Sequence, residues 1–82
     1  MKRTIQMQVV NIENEGGETP RVVLQCPAGE TIAPKDIVKA KAIFPEQEPL
    51  IVAMDRIKIL GKGRPHINLG DTVEVQVISE GP

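Results

Sequence analysis

From Thr72 to Ile78 the chain alternates without a break: Val73, Val75 and Val77 fall on one side, Glu74 and Gln76 on the other. A period of two suits a strand with one buried face, and it cannot keep a single apolar face on a helix. The pattern recurs. Ile5, Met7 and Val9 oppose Thr4, Gln6 and Gln8, while Ile57 and Ile59 oppose Arg56 and Lys58. Proline spacing argues against long helices anywhere. The chain is therefore expected to be mainly β.

The remaining segments fit around these strands. Residues 21–26 carry Val22 and Leu24 on one face and Val23 on the other, which predicts a central strand. Gly16–Gly17, in an acidic stretch, predicts a hairpin loop joining the first two strands. That stretch lacks the Asp/Asn spacing of a calcium loop. After Pro27 and Gly29, which suit a turn, Ala33–Pro34–Lys35–Asp36 reads as the entry to a short helical turn. Residues 39–44 fit either a continuation of that helix or a strand. Residues 50–54 and 56–60 read as two short strands or as one strand with a bend. Residues 61–66 are a loop and 68–71 a turn. The expectation is a small barrel or β-clip-like sandwich of five to six short strands with one short helical turn. It forms a single domain over 1–82, with a frayed tail at 79–82.

Composition narrows the function classes. At 82 residues the chain has one small core, for which self-association is an added source of burial. Ten Lys and Arg against 11 Asp and Glu leave a formal net charge of −1. That balance offers no general attraction to nucleic acid or an anionic membrane. Phe44 is the only aromatic residue, so bases would find no stacking platform. The core must come from Val, Ile, Leu, Met and Ala, with Met7 and Met54 filling gaps. A single cysteine, Cys26, allows no internal disulfide and reads as a small buried apolar residue. Met1–Lys2–Arg3 begins like an export signal, but an alternating strand follows it. The expected location is cytoplasmic, or a virion component if the gene is phage-borne.

Two groups of residues stand out. Arg56, Lys58, Lys62, Arg64 and His66 lie in an eleven-residue window free of acids. Gly61 and Gly63 would let backbone amides turn toward an anion there. The window lacks the spacing and Ser/Thr of a phosphate-binding P-loop, and a solvated hairpin loop is its ordinary reading. The second group is Val10, Ile12 and Val23, which fall where alternation breaks and predict an apolar oligomer face. No catalytic constellation appears. His66 has no nucleophile partner, the paired carboxylates Glu46/Glu48 and Asp71/Glu74 occupy loop or exposed positions, and zinc-type spacing is missing. Neither enzyme activity, metal nor cofactor is expected.

Residues 22–38, from Val22–Val23–Leu24 through Pro27–Ala28–Gly29–Glu30–Thr31–Ile32 to Asp36–Ile37–Val38, resemble the SAF motif. This motif is the strand–turn–helix corner of antifreeze-like β-clip domains. Residues 70–75 also look like the turn and strand that often end such domains. The resemblance implies a compact β-clip-like corner and carries over no substrate. Together these readings point to a non-catalytic protein-binding or assembly module, acting as a homo-oligomer or as a small partner of a larger complex. The alternative is a small-ligand domain that recognises an anionic group through the 56–66 loop.

Overall fold

The computed structural model of the chain describes residues 1–14, 16–40, 48–61 and 67–79. Six strands run β1 (Lys2–Glu13), β2 (Arg21–Gln25), β3 (Ile37–Ala40), β4 (Glu48–Ala53), β5 (Arg56–Leu60) and β6 (Thr72–Ile78). They form one antiparallel sheet in the order β3-β6-β1-β2-β5-β4. The sheet curls until its end strands, β3 and β4, approach each other, giving a nearly closed barrel. No ladder joins β3 to β4 among the described residues, so each end strand keeps one side unpaired.

β1 organises the fold. Over Lys2–Gln8 it pairs with β6, and over Gln8–Glu13 with β2. At 12 residues it is not short, and it serves both halves of the barrel. Alternation does as expected: Ile5, Met7, Val9, Val22, Leu24, Ile57, Ile59, Val73, Val75 and Val77 all point into one core. β2 lies between β1 and β5, the central place its two apolar faces predict.

One local expectation changes in the folded chain, and two open alternatives are resolved. The helical turn at 33–36 is a single reverse turn, in which the Asp36 N–H donates to the Ala33 carbonyl at 3.0 Å. Neither Pro34 nor Lys35 has positive φ, so the turn is of type I form, with Pro34 at its favoured second position. Asp36 Oδ2 accepts the Ala33 N–H at 2.9 Å, which closes the turn instead of extending it. No helix occurs among the described residues, so none is long and apolar enough to cross a membrane.

Residues 50–60 form a hairpin, not one bent strand, because Met54 and Asp55 make a two-residue turn. Met54 consequently sits at the hairpin tip, 68% exposed, and fills no core gap, whereas Met7 is fully buried. Residues 37–40 resolve to strand, and the rest of 39–44, including Phe44, lies outside the described residues.

The segment between β2 and β3 covers one end of the barrel. Cys26 N–H donates to the Asp55 carbonyl at 2.8 Å and Ile32 N–H to the Met54 carbonyl, tying the segment to the β4–β5 turn. Ile32 is 1% exposed and enters the core as a plug. Arg3 reaches across from β1: its guanidinium donates to the Thr31 carbonyl and pairs with Glu30 at 3.5 Å and Asp36 at 4.0 Å.

Candidate functional site

Ladder register defines the outer face of β1, β2, β5 and β4. Asn11, Val23, Lys58 and Leu50 form one cross-strand row. Gln8, Gln25, Arg56 and Ala53 form the next outward-facing row. Two β-bulges interrupt this grid. In β1, Val10 is the extra residue between the Val9–Leu24 and Asn11–Val23 pairs. In β4, Val52 is the extra residue between the Ile51–Ile57 and Ala53–Arg56 pairs.

A bulge re-aims the inserted side chain, and both insertions here are valines turned outward. Val10 is 39% and Val52 49% exposed. The β4 bulge has a local cause. Neither Met54 nor Asp55 has positive φ, so the hairpin lacks the primed turns whose twist matches the strands. The extra residue takes up the mismatch.

The two valines line one shallow depression of about 420 Å³ with Val23, Asn11, Glu13, Gln25, Arg56 and Lys58. Val23 is only 5% exposed although it faces away from the core. Lys58 accounts for this. From the position beside Val23 its Nζ reaches over β2 and donates to both carboxylate oxygens of Glu13, at 3.1 and 3.2 Å. Its aliphatic stem thereby roofs Val23. Both partners remain about one-third exposed, so the ion pair contributes about 0.2–1 kcal/mol.

Of the expected basic cluster, Lys58 is thus already paired. Arg56 is half exposed, its Nε 4.0 Å from Asp55 Oδ1. Lys62, Arg64 and His66 lie outside the described residues. Of the expected apolar face, the depression unites Val10 and Val23. Ile12 pairs with Val22 on the inner side and packs against the core.

Comparison with family models, curated proteins and solved structures finds no match. The surface must be read on its own chemistry. Val10, Val23 and Val52 supply the apolar part of its lining, and Asn11, Glu13, Gln25, Arg56 and Lys58 the polar and charged part.

Of the other singled-out groups, Glu46 and His66 lie outside the described residues. Asp71 Oδ2 accepts the Asn68 N–H at 2.9 Å and closes a turn, while Glu74 lies on the outer face of β6. Among the described residues no three His, Cys, Asp or Glu side chains converge on a metal. Burial pushes the Cys26 thiol pKa up, the Asp55 and Glu30 carboxylates add to the rise, and Arg3 opposes it. Such a thiol is a poor nucleophile near neutrality.

Composition-level reading missed Val52 and Glu13. Val52 carried no distinct signal, because it sits in the unbroken apolar run Leu50–Ala53, whereas Val9–Val10 places two apolar residues consecutively in an otherwise alternating strand. Such a doublet is where a bulge can turn one of them outward. Glu13 had no such mark, because only the register brings it near Lys58.

Proposed function

We propose that this chain is a non-catalytic assembly module that associates with a second copy of itself through the outer face of β1, β2, β5 and β4. The carrying observation is that both bulges turn a valine, Val10 and Val52, onto that face, where they line one depression together with Val23. Leu50, 52% exposed, extends the same surface. Apolar side chains grouped this way gain burial at about 25 cal/mol per Å² when covered, a useful supplement for a core without described aromatics. The anionic-ligand alternative loses support from the Lys58–Glu13 pair, which already occupies one of its cations. The proposal assigns the module no nucleic-acid or membrane role.

Sedimentation or light scattering at micromolar concentration tests the reading. Wild type is expected above monomer mass. Val10→Glu combined with Val52→Glu is expected to be monomeric with an unchanged β-type circular dichroism spectrum. A wild type that stays strictly monomeric overturns the proposal.

A further inference from the structure

The charges around the depression sit where a two-fold axis can use them. Glu13 lies at its β1 corner, on the outward row beyond Val23. Arg56 lies at the opposite corner, on the outward row on the other side of Val23 and on β5, two strands across. A closed dimer built from one repeated surface must be complementary to itself. Here an acid and a base mark opposite ends of one diagonal, with Val23 midway between them, Val10 beside it on β1 and Val52 on β4 past Arg56.

We infer that two copies pack this face together about an axis perpendicular to that diagonal, with Glu13 of each copy against Arg56 of the other. This inference rests on the self-association reading above. Arg56 is free to do so: its contact with Asp55 is long, its side chain is 52% exposed, and its remaining N–H groups have no hydrogen-bond acceptor among the described residues. Glu13 keeps Lys58 and gains a second cation, forming a Lys–Glu–Arg chain across the interface. Geometry also sets the packing angle. The diagonal spans roughly 13 Å along the strands and 10 Å across them, from about 3.3 Å per residue and 4.8 Å per strand. Exchanging its ends crosses the two sheets at about 70°, toward the orthogonal class of sheet packing and away from the aligned one.

Charge reversal in mixed pairs tests this. Glu13→Arg and Arg56→Glu, each alone, place like charges at both ends of the diagonal and should weaken self-association at least about 100-fold. In a mixture of the two variants, one copy carries a base at both ends of the diagonal and the other an acid at both ends. Opposite charges then meet at each end, so association should return as a heterodimer. The double variant should self-associate. Single variants that still associate like wild type, or a mixture that stays monomeric, overturn the proposed axis while leaving self-association intact. A monomeric wild type removes both.

If reversal unfolds the chain, Glu13→Gln and Arg56→Gln keep the question open to measurement. Each should weaken association at least about threefold and flatten its salt dependence. No change in either variant overturns the axis.

Discussion

Val23 and Cys26 behave in ways that neighbouring residues decide. Val23 is buried on the wrong face of its strand because Lys58 bends toward Glu13 and lays its stem over it. Cys26 is buried at the end of β2, where desolvation leads the forces that hold its proton on. A thiol-specific reagent at pH 8 should therefore label the folded chain at least about tenfold more slowly than the denatured chain. Labelling at equal rates would mean that the thiol is open.

The same residue carries a pH consequence. The unfolded thiol is half ionised near pH 8.5, while the folded one keeps its proton to higher pH. The native state then binds more protons than the unfolded state, so stability declines as pH rises above that range. Denaturant midpoints compared with a Cys26→Ala variant should diverge there, with only the wild type bearing this loss.

Turns decide how the elements meet. Pro27–Glu30 and Asn68–Asp71 each carry a glycine at the third position, Gly29 with φ 89° and Gly70 with φ 88°. That placement is the signature of a type II turn, which excludes side chains by backbone conformation. At Gly70 a Cβ would meet nothing within 4 Å, so Gly70→Ala isolates the conformational cost from any clash. The variant should lose about 1–2 kcal/mol with an unchanged m-value in denaturant titration. A neutral substitution would show that the turn relaxes. The bulges at Val10 and Val52 act on the same scale, bending strands and aiming valines outward with one inserted residue each.

For the whole molecule, the barrel end is closed by a segment that is neither strand nor helix. Ile32 plugs it, and Arg3 clasps Glu30, Thr31 and Asp36 from above. Ile32→Ala should cost about 2–5 kcal/mol of global stability by chemical denaturation. A domain of this size has only about 4–12 kcal/mol to lose. Loss of less than about 1 kcal/mol would mean that the end collapses onto the gap and that the plug is dispensable.

The strand class, the buried faces of β1, β2, β5 and β6, and the β1–β2 hairpin were all legible in the sequence, because period-two alternation and Gly-Gly punctuation act over a few residues. Two questions could not be answered at that range. Whether Ala33–Asp36 starts a helix depends on Asp36 closing its own turn and on Arg3 arriving from β1, far away along the chain. Whether Val10, Ile12 and Val23 share a face depends on the bulge at Val10, which separates Ile12 from the outward pair. Local pattern determines which way a strand's residues point, since pleating is a property of the backbone. Register across strands, set only when the barrel curls and pairs, decides which of those side chains become neighbours.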